Sequence, residues 1–132
     1  GEVTTGVYFN MHQPTGVMAV VDYTETESEI KLYHIANKQE VSIIKGGNGA
    51  DIQWSKSGEV LYYTLADNTD EQYPYKIMAY DTKAQSAKEL GRTLASQMFA
   101  TGVETELLLQ YMDYNETTGA RTITYQFDTA VN

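Results

Sequence analysis

The chain has 132 residues and a formal net charge of -9, with 18 acidic against 9 basic residues, and it contains no cysteine. This length fits a single domain, 1–132, with one sizeable core. The charge disfavours nucleic acid and anionic membrane surfaces as partners, because both are bound through Lys and Arg. Without cysteine, no disulfide, thiol nucleophile or thiolate metal site can form.

The sequence also bears on location. No apolar run approaches the ~18 residues of a membrane span, so we expect none. The lack of cysteine fits an envelope or extracellular protein, and a chain that starts at Gly1 instead of Met is consistent with a removed leader. We therefore expect an extracytoplasmic location: periplasmic, cell-surface or secreted.

In chain order, extended segments alternate with turns. The Tyr- and Thr-rich composition favours strands, because aromatic and branched side chains pack well on a pleated surface. The first strands are "GVMAVVDY" (16–23), "IKLYHIAN" (30–37) and "EVSII" (40–44). The turn "WSKSG" (54–58) leads into "GEVLYYTLAD" (58–67), and an acidic loop then leads into "YKIMAYDTK" (75–83). The last strands are "TELLLQYMDY" (105–114) and "ITYQFDTA" (123–130).

This order of strand, turn, strand, acidic loop and strand recurs three times. Tyr33, Tyr80 and Phe127 stand at equal spacing near the ends of corresponding strands, and the same interval separates 58–67 from 105–114. Recurrence at a fixed interval indicates a repeat architecture. We place Trp54, Tyr80 and Phe127 inside the sheets.

The turn at 54–58, the strand at 59–64 and the Asp-terminated strand at 76–82 resemble the PD40 (WD40-like) repeat of TolB-like β-propellers. Diverged copies flank this unit, so the resemblance extends over about 7–130. Lys56 and Ser57 stand where the family has Pro-Asp. The resemblance implies an all-β fold of three antiparallel, propeller-like sheet repeats (blades) at about 7–45, 50–91 and 97–130.

Residues 84–100 are ambiguous. Ala87, Leu90, Leu94 and Met98 are three or four residues apart, which is typical of a helix. Gly91 argues against a helix by ~1 kcal/mol relative to Ala. The repeat assigns the same segment to an outer strand, a loop and an inner strand, and we predict strands.

Three blades raise a problem of closure, because propellers have ~4–8 blades. The third unit has no residues left for a fourth strand, which residues 2–5 could supply. A partial or open propeller could be completed by a homodimer, could belong to a longer protein, or could remain an open array. We expect the homodimer, favoured by salt that screens the repulsion between two acidic chains.

No pattern of residues indicates a reaction. His12 and His34 take positions in the repeat that correspond to Trp54 and Asp81, which suggests a structural role. Gly-x-Ser-x-Gly, His-Glu-x-x-His and P-loop patterns do not occur. We therefore predict a noncatalytic protein with no catalytic residue, metal site or cofactor. An enzyme that uses loop carboxylates is a weaker hypothesis.

Acidic residues collect in the loop between the second and third strands of each unit. In a propeller these loops lie at the same end of every blade, so we expect an acidic loop face that binds a protein partner and whose negative field would attract a basic one. A calcium loop starting at Asp67 fails, because Thr69, Gln72 and Met78 occupy positions that need other residues. The acidic loop face consists of Asp22, Glu25, Glu27, Glu29, Asp67, Asp70, Glu71, Asp113 and Glu116.

The alternative function is a small-ligand or carbohydrate-binding domain. Aromatic rings offer stacking surfaces with a polar edge, and tyrosines are frequent near the acidic loops. The ligand-stacking candidates are Tyr73, Tyr75 and Tyr114.

Overall fold

The computed structural model describes residues 6–23, 27–47, 49–67, 69–94, 97–112 and 120–126. These residues form eleven β-strands and no helix. The strands are β1 Gly6–His12, β2 Val17–Tyr23, β3 Ser28–His34, β4 Gln39–Gly47, β5 Gly49–Trp54, β6 Val60–Ala66, β7 Tyr75–Asp81, β8 Ser86–Thr93, β9 Gln97–Ala100, β10 Glu106–Met112 and β11 Ala120–Gln126. In the described ranges, no helix has the length and apolar character required to cross a membrane.

The strands form three antiparallel sheets in chain order. The first sheet has the order β1-β2-β3-β4, the second β5-β6-β7-β8 and the third, over the described residues, β11-β10-β9. The sheets do not close on one another, so the fold is a partial, open propeller. The predicted fold class is therefore confirmed. Residues 2–5, the predicted source of a fourth strand for the third sheet, lie outside the described residues.

The register shows how the repeats correspond. Met18 faces Tyr33 in the first sheet, and Leu61 faces Tyr80 at the same place in the second. The predicted correspondence of Tyr33 with Tyr80 is therefore present in the structure. In the third sheet this place is taken by Leu107 and Tyr125. Tyr125 therefore stands where the spacing of the repeats in the sequence predicts Phe127. Phe127 itself lies outside the described residues.

The second sheet is covered on both faces. Because successive strand residues point to opposite faces, a sheet with two covered faces needs an unbroken apolar run. Strand β6 meets this requirement, since Val60 to Thr64 are all buried. Towards the first sheet, the core contains Leu61, Tyr63 and Tyr80 with Val17, Ala19, Val21, Ile30 and Leu32. Towards the third sheet, it contains Val60, Tyr62, Ile77 and Ala79 with Met98, Leu107 and Leu109.

The ambiguous segment 84–100 forms strands β8 and β9, as predicted. The helix-like spacing does not produce one apolar face, because Met98 is buried whereas Leu94 is 44% exposed. Pairing with β7 shifts register between Ile77 and Met78, opposite Leu90 and Gly91. Such a bulge lets one strand carry an extra residue, and it accounts for a glycine inside a strand.

Trp54 joins the first two sheets, and it provides the first prediction. Its side chain is 4% exposed, and its Nε1–H donates to the Asn10 carbonyl across 2.8 Å. Truncation would leave a cavity, so Trp54→Ala should lower the free energy of unfolding by about 3–5 kcal/mol. Urea denaturation followed by circular dichroism measures this change, since the variant lacks the chain's single tryptophan fluorophore.

The matched control is Leu94→Ala, because this apolar side chain is 44% exposed. We expect its effect to stay within about 0.5 kcal/mol. An unchanged urea midpoint for Trp54→Ala would show that the contact between the first two sheets does not depend on the indole.

Candidate functional site

The first strands of the three sheets, β1, β5 and β9, lie beside one another. Asn10 Nδ2 donates to Gln53 Oε1 across 3.3 Å, and Gln53 Nε2 donates to the Met98 carbonyl across 3.4 Å. Further along, His12 Nε2 lies 2.9 Å from the Lys56 carbonyl. Residue numbers rise together from Asn10–Gln53 to His12–Lys56, and likewise from Gln53–Met98 to Ser57–Glu104. The three strands therefore run in the same direction. Equivalent turns and loops therefore emerge at the same end of the array.

At one end, the turns that follow β1 and β5 are linked by His12. The Lys56 carbonyl can only accept, so the hydrogen on His12 Nε2 is the donor of that contact. Nδ1 lies 2.8 Å from Thr15 Oγ1. An added Cβ on Gly58 would approach His12 Nδ1 to 2.5 Å, and Gly58 also has φ of +77°. His12 therefore has a structural role, but its predicted correspondence with Trp54 is wrong: Met11 faces Met18 as Trp54 faces Leu61, and His12 faces Val17 one residue further on.

At the same end of the array, Glu104 links the second sheet to the third. Its carboxylate accepts hydrogen bonds from the Ser57 N–H at 2.9 Å and from Ser57 Oγ at 2.8 Å. Burial opposes ionisation of Glu104, but hydrogen bonds from Ser55 and Ser57 outweigh it and lower the pKa of the carboxyl. Tyr62 donates its hydroxyl to the Glu104 carbonyl at 2.9 Å, and burial, followed by the charge of Glu104, raises the pKa of Tyr62 to about 12.

At the other end, Asp67 organises the loop between β6 and β7. Its carboxylate lies 3.0 Å from Lys76 Nζ and 3.2 Å from Arg92 Nη2. It also accepts hydrogen bonds from the Thr69 hydroxyl at 2.7 Å and N–H at 2.9 Å. The bonds from Thr69, followed by those from Lys76, hold the pKa of Asp67 well below its usual range. Its backbone N–H donates to the Pro74 carbonyl at 2.8 Å, which closes the loop.

The tip of this loop is fixed by Asp70. Its carboxylate accepts from the N–H groups of Gln72 at 3.0 Å and of Tyr73 at 3.1 Å. From the strand side, Arg92 Nη1 donates to the Tyr73 carbonyl at 3.2 Å. The side chains of Glu71 and Tyr73 remain exposed. The loop is therefore fixed from within and presents a carboxylate and a phenol to the outside.

The corresponding loop of the first sheet has a different arrangement. Asp22 and Glu29 face each other across β2 and β3. Glu29 lies 3.6 Å from Lys31 Nζ and accepts from Ser42 Oγ at 3.1 Å, which offsets the repulsion between two opposed carboxylates. Asp22 and Glu27 are exposed.

The structure thus brings two groups of the predicted residues to the same end of the array. Asp22, Glu27 and Glu29 lie at the first sheet, and Asp67, Asp70 and Glu71 lie at the second. Glu29, Asp67 and Asp70 are engaged within the chain. Of the tyrosine candidates, Tyr73 is 41% exposed and Tyr75 is half-buried at the start of β7. Glu25, Asp113, Glu116 and Tyr114 lie outside the described residues.

Sequence reasoning missed a cleft between the strands β1, β5 and β9. Its volume is about 550 Å³. Asp51 borders it, and burial raises the pKa of this carboxyl, although hydrogen bonds from the N–H groups of Met98 and Ile52 partly oppose the rise. The full lining is Phe9, Asn10, Asp51, Ile52, Gln53, Met98 and Phe99. Among the described residues, no group of three His, Cys, Asp or Glu could hold a metal ion.

The Glu104 contact makes stability depend on pH. Because the folded-state pKa is lowered, the stabilisation is present above the unfolded-state pKa near 4.5 and is lost as pH falls through the folded-state value. We expect wild-type unfolding free energy to fall more steeply than that of Glu104→Gln below about pH 5. Urea titrations at several pH values measure both slopes. Ser57→Ala should reduce the wild-type slope in part, and parallel curves for wild type and Glu104→Gln would contradict the assignment.

Comparisons with solved structures support the propeller-like fold. The acylaminoacyl peptidase of Pyrococcus horikoshii, in its orthorhombic crystal form, matches with a TM-score of 0.67 and 13% identity over 86% of this chain. The tricorn protease matches with a TM-score of 0.60 and 12% identity, also over 86%. An acylaminoacyl peptidase in complex with Z-Gly-Gly-Phe-chloromethyl ketone matches with a TM-score of 0.61 and 14% identity over 83%.

These similar proteins contain β-propeller domains, and at such low identity the likeness shows the fold alone. The matched region is 18%, 11% and 18% of their respective chains, so this chain spans less than a fifth of each. No protein-family model and no curated protein sequence matches this chain.

Proposed function

We propose that this chain is a noncatalytic, TolB-like propeller segment of the cell envelope that binds a basic protein partner through the acidic loop face. The PD40-like turn at 54–58 and the propeller-like sheets support the family assignment. The observation that carries the binding function is the fixed loop between β6 and β7, which presents Glu71 and Tyr73 outward.

A loop that is already ordered loses little conformational entropy when a partner binds. Tyrosine suits such a loop, because its ring supplies apolar contact area while its hydroxyl can form a hydrogen bond. Inside the loop, Lys76 and Arg92 offset the charge of Asp67. The chain as a whole still carries a net charge of -9, which attracts a basic partner and increases the rate of encounter.

Two observations support the noncatalytic part of the proposal. His12 bridges two turns through both ring nitrogens, and His34 ends β3 at the place that Asp81 takes in β7. The solved peptidases resemble this chain only over 11–18% of their own lengths, so the likeness concerns the sheets and does not extend to peptidase activity.

Binding at the acidic loop face can be tested with a displayed library of random peptides. We expect selection on the immobilised chain to enrich Lys- and Arg-containing peptides, and their binding to weaken as salt rises. Glu71→Lys and Tyr73→Ala should each raise the dissociation constant of a selected peptide by roughly tenfold. Isothermal calorimetry measures these constants.

The matched control is Glu59→Lys, which makes the same charge change at the opposite end of the array. The Glu59 side chain forms an exposed ion pair with Lys83 at 2.7 Å, whereas the hydrogen bonds of Glu59 with Ser57 and Thr82 use its backbone, so the substitution should affect folding little. Enrichment of peptides without basic residues, or equal weakening by Glu59→Lys and Glu71→Lys, would contradict the proposal.

The second candidate function is small-ligand or carbohydrate binding, and the cleft between β1, β5 and β9 favours it. Its volume lies within the ~300–1,000 Å³ of typical ligand pockets, and the amides of Asn10 and Gln53 border it. For a ligand present at 100 times its dissociation constant, the stabilisation is about 2.7 kcal/mol, enough for a clear rise in melting temperature. A thermal-shift screen with a panel of saccharides tests this function, and Phe99→Ala should abolish any rise that originates in the cleft.

A further inference from the structure

The first sheet has an open apolar face that points away from the second sheet. Along β2, Val17, Ala19 and Val21 are buried against the second sheet, whereas the alternate residues Met18 and Val20 point to the other side and are half-buried. Phe9 faces Val20 from β1 and is 66% exposed, and Tyr33 faces Met18 from β3. We call Phe9, Met18, Val20, Lys31, Tyr33 and Glu40 the open face of the first sheet.

The second sheet shows how such a face is normally covered. The pair Met18–Tyr33 corresponds in register to Leu61–Tyr80. In the second sheet, Leu61 and Tyr80 are buried against the first sheet, with exposures of 0% and 6%. The open face is therefore the side on which a preceding sheet would pack.

The third sheet carries the opposite kind of face. Leu107 and Leu109 are buried against the second sheet, so Leu108 between them points away. Its cross-strand neighbour Phe99 is 43% exposed. By register, Leu108 corresponds to Tyr62 of the second sheet, which is fully buried against the sheet that follows.

The sheets thus stack head to tail, and one chain carries both halves of a further contact of this kind that its described residues do not make. Because the two halves are different surfaces, they cannot pair with themselves and require a heterologous contact. Within the chain, the same kind of contact is made twice, between the first and second sheets and between the second and third. Two chains of three sheets give six, which lies within the ~4–8 blades that close a propeller.

We infer that a second copy of this chain occupies the open face of the first sheet. Phe99 and Leu108 of one copy pack against the open face of the other, and the reciprocal contact closes a two-fold ring. A hollow of about 190 Å³ between Met18, Val20, Lys31, Tyr33 and Glu40 receives a side chain of the opposing sheet. Lys31 lies 3.6 Å from Glu29, which offsets part of its charge in such a contact.

The ring also completes the cleft between β1, β5 and β9. Phe9 belongs to the open face of the first sheet, Phe99 belongs to the outward face of the third, and both line the cleft. Closure places Phe99 of each copy towards Phe9 of the other, so that the cleft becomes a channel shared by two copies. This inference does not depend on the proposed partner-binding function.

Sedimentation equilibrium on the 132-residue chain tests the ring. We expect a mass of two 14.8 kDa chains, with a dissociation constant that falls as salt is raised from about 50 to 500 mM, because repulsion between acidic chains is screened. Val20→Lys and Phe99→Asp each place a charge on one half of the contact and should raise that constant by at least tenfold. Both positions are partly exposed in the single chain, and circular dichroism checks that each variant remains folded.

Mixing the two variants distinguishes a head-to-tail ring from other dimers. A dimer of one chain of each variant has one unaltered contact and one contact between opposite charges. The mixture should therefore again show the mass of two chains, which each variant alone no longer reaches. Val103→Lys, at a 52% exposed apolar residue of the turn before β10, is the matched control and should leave the mass unchanged. A wild-type monomer at high concentration in both salts, growth beyond two chains, or no recovery on mixing would each overturn the ring.

Discussion

Strand β6 contributes to two cores at once, with Leu61 and Tyr63 directed to one neighbouring sheet and Val60 and Tyr62 to the other. Because side chains alternate along a strand, a shift of one residue in register would exchange the two sets and misplace both. Packing in both cores therefore fixes the position of the second sheet. Over the described residues, the first and third sheets each have one such contact, so their placement depends on the central strand.

The polar links between sheets are compatible with this constraint because they lie at the edges of the cores. Trp54 is buried in the first core, yet its indole N–H reaches the Asn10 carbonyl. Glu104 accepts two bonds from Ser57 at the turn end. Hydrophobic packing thus sets the spacing of the sheets, and these directional bonds fix how far one sheet slides along the next.

Much of the fold could be predicted from sequence, because turn and strand chemistry is local. The turn at 54–58, the apolar run of β6 and the correspondence of Tyr33 with Tyr80 all involve near neighbours or a fixed interval. The third repeat fits less well, since its register sets Tyr125 where the spacing predicts Phe127. The contacts inside the acidic loops could not be predicted from sequence, because they depend on strand pairing: Lys76 approaches Asp67 since β6 pairs with β7, and Arg92 joins them since β7 pairs with β8. The cleft takes its lining from three separate repeats, and no interval in the sequence marks it.

The contact between Gly58 and the ring of His12 limits how independently the repeats can change. The imidazole of the first repeat fills the space that a side chain of the second repeat would need. A larger residue at Gly58 would need a smaller residue at position 12 and would still be strained by the positive φ, so the two positions constrain each other. For recombination or domain grafting, the transferable module is therefore a junction between two sheets, because any cut between His12 and Gly58 would separate a matched pair.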